Sequence, residues 1–366
     1  MYRAAPSMGI AALALTVSGC GELLDIDTIE PTSGAGSGGA ALSGAGGAGG
    51  AGVGGALPAT VVGRGCVESD VCGPDGASCC ESRLVEGEVL GEFRMGCNNI
   101  PGRPCFTQSE GPEHTATIGN IYLDTFEATV GRFRQFEEEY EGWRNAGNPA
   151  PGAGAHPRIA DSGWREEWTA ELPLIDGSFD TALRFDCNGF SAWLTSSPNA
   201  MAQNCLSWPV AFAFCIWSGG RLPTEAEWEM AATGGQENRI YSWGIAHPAP
   251  DLAVYNVIEE YPPESFWLEN AGSRPLGVGR FGHHDMSGNV SEWTLDQYSE
   301  TWFQKGGDGN PCNDCANLGG VTDDHSARGG NWAYDSYGLS VTQRIEQWGL
   351  AIAQYGGVRC ARDPVP

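Results

Sequence analysis

The 366-residue chain carries 46 Asp and Glu against 20 Lys and Arg, a formal net charge of −26, and 54 glycines. That acidity excludes a nucleic-acid-binding surface, which needs basic patches to displace counterions, and it excludes docking on anionic lipid by charge. A hydrophobic fraction of 41%, with 13 Trp and 13 Phe, excludes a wholly disordered chain.

Residues 1–19 read as an export signal, with Arg3 as the lone cation, an apolar run from Met8 to Val17, and small residues after it. The run is too short to cross a bilayer core of about 30 Å as a helix. It ends in Val17-Ser18-Gly19-Cys20, which resembles a bacterial lipobox. The resemblance implies that Cys20 is lipidated. The mature protein is then expected to be exported and held in the cell envelope, at the outer membrane or cell surface, meeting membrane only through that anchor. Residues 20–60 follow as a tether. From Gly34 to Ala56, 12 of 23 residues are Gly with no G-x-y period, so the segment buries too little surface to offset its ordering entropy. Its mean reach is about 25–30 Å.

Setting Cys20 aside leaves twelve of the 13 cysteines, an even number, and export makes disulfides the expectation. Cys66, Cys72, Cys79, Cys80, Cys97 and Cys105 crowd together in Gly- and Pro-rich sequence. Residues 61–86 are therefore expected as a small Cys-rich segment ahead of a main domain at 87–363. Six cysteines allow 15 pairings, and the sequence does not choose among them. Cys312-Asn313-Asp314-Cys315 has zinc-type spacing, but no second such pair accompanies it, so a local disulfide is the expectation.

Beyond residue 85, strand-like runs are short and Gly, Pro, Asn and Asp breaks are frequent. Thr129 to Tyr140 places Val130, Phe133, Phe136 and Tyr140 on one helical face. Pro209 to Ser218 is apolar almost all round, which predicts a buried helix. Thr224-Glu225-Ala226-Glu227 is a capping box opening a helix over Glu225–Ala232.

Several separated stretches resemble the formylglycine-generating enzyme, or sulfatase-modifying factor, family. They include Gly91-Glu92-Phe93-Arg94-Met95-Gly96, Tyr122-Leu123-Asp124-Thr125-Phe126-Glu127-Ala128-Thr129, Ser207-Trp208-Pro209, and the highly specific Gly220-Arg221-Leu222-Pro223-Thr224-Glu225-Ala226-Glu227-Trp228-Glu229. Tyr241-Ser242-Trp243-Gly244, Asp285-Met286-Ser287-Gly288-Asn289-Val290-Ser291-Glu292-Trp293, Arg328-Gly329-Gly330-Asn331-Trp332 and Gly357-Val358-Arg359-Cys360-Ala361-Arg362 continue in the family's order. The resemblance implies an α+β, irregular fold, a relative of C-type lectins, low in regular secondary structure. It also implies a structural disulfide between Cys215 and Cys360.

Active members of that family hold copper with two thiolates, five residues apart, just after the R-G-G-S-x segment; Cu(I) prefers such soft sulfur ligands. The matching positions here are Tyr334 and Leu339. Neither supplies a thiolate, so no copper and no formylglycine generation are expected. Asn331, Trp332, Tyr334, Asp335 and Tyr337 occupy the place of the lost copper site. They are the candidate pocket for a small-molecule, glycan or protein ligand in a non-catalytic binding protein. The competing reading is a metal-dependent oxidoreductase that uses the same groove with different residues. The six histidines show no H-x-x-x-H helix spacing, and His283-His284 is expected in a solvent-exposed turn. Trp208, Trp228, Trp243 and Trp293 lie inside family motifs and are expected to pack the core.

Calcium is the expected cofactor. The loop from Asp285 to Glu292 offers two carboxylates with Gly and Asn between them, the mixed oxygen set a hard cation takes. The resemblance assigns Asp285 and Glu292 as side-chain ligands and Gly288 and Val290 as carbonyl ligands. A second site would begin at Asn256 and Val257, with Glu259, Glu260 and Glu264 as candidate acidic partners.

Overall fold

The computed structural model describes residues 57–98, 105, 110–174, 187, 191–193, 196–256, 268–319, 324–348 and 354–365. The export segment, Cys20, the glycine-rich stretch to Ala56, Val257, Glu259, Glu260 and Glu264 lie outside them.

Thirteen short strands form four small sheets among these residues. The first has the order β1 (Thr60–Val62), β4 (Glu81–Glu86), β7 (Asn120–Asp124), β13 (Ala361–Arg362). The second has the order β11 (Arg344–Trp348), β10 (Asp324–Arg328), β8 (Ser291–Gln297), β12 (Gly356–Gly357). A third joins β5 (Phe93–Met95), β6 (His114–Thr117) and β9 (Cys312–Asn313), and β2 (Val71–Cys72) pairs with β3 (Ala77–Ser78). No strand in this set exceeds the seven residues of β8.

The Cys-rich segment is woven into the domain. Strand β4, the last part of that segment, runs antiparallel to β7 from Ser82↔Asp124 to Glu86↔Asn120. Cys66–Cys80 and Cys72–Cys79 staple the β2–β3 hairpin beside it.

Among the described residues, α1 (Gly87–Leu90) was not expected from the sequence, whereas α2 (Val130–Asn145), α3 (Trp208–Trp217) and α4 (Glu225–Thr233) follow its pattern. On α2 the buried face is Val130, Phe133, Phe136 and Tyr140, and Thr129 caps the first turn by accepting from the Arg132 N–H. Phe133 stacks on Phe214 of α3 at 4.2 Å, which joins the two helices in the larger core.

Helix α4 carries the capping box in full: Thr224 accepts from the Glu227 N–H and Glu227 accepts from the Thr224 N–H. All nine of its residues are buried, including three glutamates. Buried carboxylates are costly unless paired. Each meets an arginine, Glu227 one from just before the helix and Glu225 and Glu229 ones from 99 to 119 residues away. Arg328 and Arg344 bond Glu225 at 2.8 and 2.7 Å, Arg328 also bonds Glu229, and Arg221 bonds Glu227 at 2.7 Å with His156 beside it. The most family-specific string is thus a charged helix that only a tertiary set of arginines can bury.

Candidate functional site

Strand β10 ends at Arg328, and Gly329 and Gly330 follow with φ of 92° and 69°. A Cβ on Gly330 would lie 2.3 Å from the Gly338 carbonyl, so no larger residue fits this turn. Asn331 is fully buried; its side-chain amide donates to Ser291 Oγ at 2.9 Å, and its Oδ1 accepts from the Ala333 N–H. Trp332 is also buried, its N–H donating to the Asn289 carbonyl and its ring meeting Tyr355 edge-on at 5.2 Å. Asp335 caps the 3-10 turn Ser336–Leu339 by accepting from the Tyr337 and Gly338 N–H groups. The Tyr334 ring closes over Gly338, where a Cβ would lie 2.4 Å from it. Burial, with Tyr355 adding to it, raises the Tyr334 phenol.

Of the five residues expected to line a pocket, Asn331 and Trp332 are buried, Asn331 bonded to Ser291 and Ala333 and Trp332 packed in the larger core. Tyr334 is half-buried, Asp335 is exposed, and Tyr337 is 60% exposed. Leu339 is fully buried against Tyr241 and Ala253, with Ile240, Trp243 and Tyr255 packed on that cluster. Tyr241 stacks on Trp243 at 5.1 Å, and Ile245 beyond them is 79% exposed. Leu339 thus sits in a small core closed by aromatic side chains. Sequence reasoning missed the contribution of residues 241–255 and placed Trp243 in the core; it is half-buried, whereas Trp208, Trp228 and Trp293 are buried as expected. The Tyr241-Ser242-Trp243-Gly244 motif was the available signal, since residues two apart on a short bridge share a face and its two rings stack.

Every cysteine among the described residues is in a disulfide. Besides the two hairpin staples these are Cys97–Cys105, Cys187–Cys205, Cys215–Cys360 and Cys312–Cys315. The family pairing of Cys215 with Cys360 and the local C-x2-C bridge are both present. No free thiol is left among these residues to hold copper, so the donor set does not fit that metal.

The loop from Asp285 to Glu292 sits over a buried carboxylate cluster. Glu292 accepts from Arg359 through both oxygens, at 2.7 to 3.1 Å, and from Trp228 Nε1 at 2.7 Å. Asp285 accepts from the Gly272 N–H, and Glu127 accepts from the Val290 N–H at 3.0 Å and from Asn289 Nδ2. Burial, reinforced by the neighbouring carboxylates, pushes Glu127 well up and Asp285 up to about 6. Gly288 lies against Val254 at φ 108°, its N–H donating to the Gly329 carbonyl. In this geometry the loop does not present the four-ligand calcium set, because both Glu292 oxygens are engaged by Arg359 and Trp228. At the second expected site, the Asn256 N–H donates to the Tyr334 carbonyl at 2.8 Å.

The expected exposed histidine turn is corrected. His283 is fully buried and His284 is 9% exposed. His283 packs against the Leu123 carbonyl and His284 stacks on Phe126 at 5.0 Å. Burial, then the Arg359 charge, pushes them down to about 3 and about 4, so both are neutral at neutral pH. The reason is tertiary: the loop turns inward under β7, and two adjacent side chains both find cover.

Two cavities lie away from Tyr334. One of about 340 Å³ is lined by Val71–Pro74, Ala200, Asn270–Ser273 and Pro275; the other, about 320 Å³, lies against β5 and is lined by Glu92–Arg94, Thr115, Gln236 and Asn238.

Residues 77–364 match the family model described as the sulfatase-modifying factor enzyme 1-like domain. The formylglycine-generating enzyme of Thermomonospora curvata is 28% identical over 228 residues, covering 58% of this chain and 71% of that protein. The inactive C-alpha-formylglycine-generating enzyme 2 of Bos taurus is also 28% identical, over 222 residues, 57% of this chain and 69% of that protein. Among solved structures, PvdO from Pseudomonas aeruginosa superposes with a TM-score of 0.49 at 17% identity, covering 78% of this chain and 96% of PvdO.

Proposed function

Because the chain belongs to the sulfatase-modifying factor enzyme 1-like domain family, we propose that it is an exported, lipid-anchored member that does not generate formylglycine and binds a ligand or partner instead. The observation that carries this reading is the cysteine accounting. The copper chemistry of active relatives needs two thiolates, and here every described cysteine is in a disulfide while positions 334 and 339 hold a phenol and a buried leucine. Six disulfides also favour an oxidising compartment. A relative named as inactive supports the same direction.

Loss of chemistry with retention of the scaffold leaves the surface as the functional part, since function resides in sites grafted on a fold. The partly exposed aromatics Trp243, Tyr255, Tyr334 and Tyr337 are the candidates, because exposed apolar side chains can mark interaction sites. The test is to incubate the purified chain with Cu(I), oxygen and a cysteine-containing peptide. Mass spectrometry is expected to show unmodified cysteine, and metal analysis less than one copper per chain. Catalytic aldehyde formation with stoichiometric copper would end the proposal.

A further inference from the structure

The outward face of the β5–β6–β9 sheet carries a polar cleft of about 320 Å³. In β5, Phe93 and Met95 face inward and Arg94 outward. In β6, His114 and Ala116 face inward and Thr115 outward, directly across from Arg94. Opposed residues of an antiparallel pair share a face, so Arg94 and Thr115 form the floor together. Glu92, two positions before Arg94, lines the same cavity.

The wall is the 3-10 turn Gly235–Glu237, which follows α4. Gln236 Nε2 donates to the Leu90 and Glu92 carbonyls at 2.9 and 3.3 Å, tying this turn to the approach of β5. Asn238 closes the turn at φ 55°, its N–H donating to the Gly235 carbonyl at 3.2 Å, so its backbone is fixed. The Asn238 Oδ1 is buried and accepts from no donor among the described residues. Buried polar atoms are nearly always paired, so an acceptor left open beside a cavity calls for a donor from outside the chain.

The lining decides which donor. It comprises one carboxylate, one guanidinium, two carboxamides, one hydroxyl, and the ring of Phe93, which is only 2% exposed. The two charges balance, and Arg94 also has Glu113 at 3.7 Å, so an ion of either sign meets a like charge beside its counter-charge. The buried ring leaves little wall for an apolar ligand. Donors and acceptors side by side are matched by hydroxyl groups, each of which is both.

We infer that this cleft, which lies away from Tyr334, binds a neutral saccharide. One ring hydroxyl donates to Asn238 Oδ1, and neighbouring hydroxyls bond Glu92, Arg94 and Thr115. The cavity is at the small end of ligand sites, which suits a mono- or disaccharide unit.

The test titrates the full chain in mild detergent with maltose, cellobiose, lactose and di-N-acetylchitobiose, read by saturation-transfer NMR of the sugar. At least one is expected to bind. Longer oligomers of that sugar then separate the sources: unchanged affinity marks a free sugar, and a rise marks a glycan chain. Asn238→Gly and Thr115→Val are each expected to weaken binding about 3- to 10-fold, the worth of one hydrogen bond. Gly suits the positive φ and removes an unpaired acceptor, so Asn238→Gly should melt no lower than the parent. A purely structural Asn238 would instead lower the Tm and leave binding unchanged. Glu138→Gln, on the exposed face of α2, should bind like the parent. Sugar binding indifferent to both cleft variants would overturn the inference, as would Asn238-dependent binding of free glutamine or glucuronate in place of the sugars. Absence of binding by all four disaccharides at about 10 mM, beyond the weak end of specific recognition, would overturn it too. None of these outcomes bears on the copper test above.

Discussion

Arg359 offers the sharpest test of how the core is held together. Its guanidinium is fully buried and donates to both Glu292 oxygens, to the Asp124 and Thr125 carbonyls at 2.8 and 2.9 Å, and to the His284 carbonyl at 2.7 Å. Glu127 and Asp285 lie close enough to raise its pKa with Glu292, so one cation faces three carboxylates. Arg359→Met keeps much of the volume and removes the charge. Leaving Glu292 buried without its partner costs about 3–5 kcal/mol, and the three carbonyls add about 1 kcal/mol or more between them. A total near 5 kcal/mol corresponds to a Tm about 10 °C lower for a domain of this size. The assay is urea unfolding under non-reducing conditions, so that Cys215–Cys360 next to the site stays intact. Adding Glu292→Gln should recover at least about 2 kcal/mol, because the orphaned charge is then gone. A single variant within about 1 kcal/mol of the parent, or a double variant no better than the single, would refute the claim that Arg359 neutralises this cluster.

Other outcomes follow from the same structure. Thr224→Ala should cost about 1 kcal/mol in the same unfolding assay, since it removes half of the capping box on α4. His325 is stacked on Trp208 at 3.8 Å and held down to about 3 by burial, with Arg165 adding to it. The unfolded chain therefore binds a proton there near pH 6.5 that the folded chain refuses. Its share of stability is full above that pH and is lost as pH falls from 6.5 toward 3, by about 1.4 kcal/mol per unit at most. His325→Phe, which preserves the stack, should flatten the stability profile between pH 6.5 and 4.5; an unchanged slope would contradict it. Calcium is tested by melting with and without chelator: with Glu292 engaged by Arg359, the Tm should agree within about 1 °C. A calcium-dependent rise of several degrees would show that Glu292 leaves Arg359 for the ion. Finally, Cys20→Ala should abolish partition of the expressed chain into a detergent phase, and persistence of that partition would remove the lipid anchor from the proposal.

Local physics was readable from the residues alone. The apolar period of Val130, Phe133, Phe136 and Tyr140, the Thr224–Glu227 box, and the short C-x2-C bridge each involve groups a few residues apart, so spacing determines geometry. The side chains at positions 334 and 339 were legible too, a tyrosine and a leucine where the resemblance expects cysteines. Tertiary structure decided what depends on distant partners. It selected Cys66–Cys80 and Cys72–Cys79 from the possible pairings, since only chain reversal brings those residues within disulfide reach. It buried His283 and His284 under β7, gave Glu292 to Arg359, which stands 67 positions away, and left Trp243 half-buried against Tyr241. Sequence placed Tyr334 and Leu339 at the positions where the family resemblance expects thiolates. Only tertiary structure packed Leu339 against Tyr241 and Ala253 from a separate loop, because burial is a property of which segments meet.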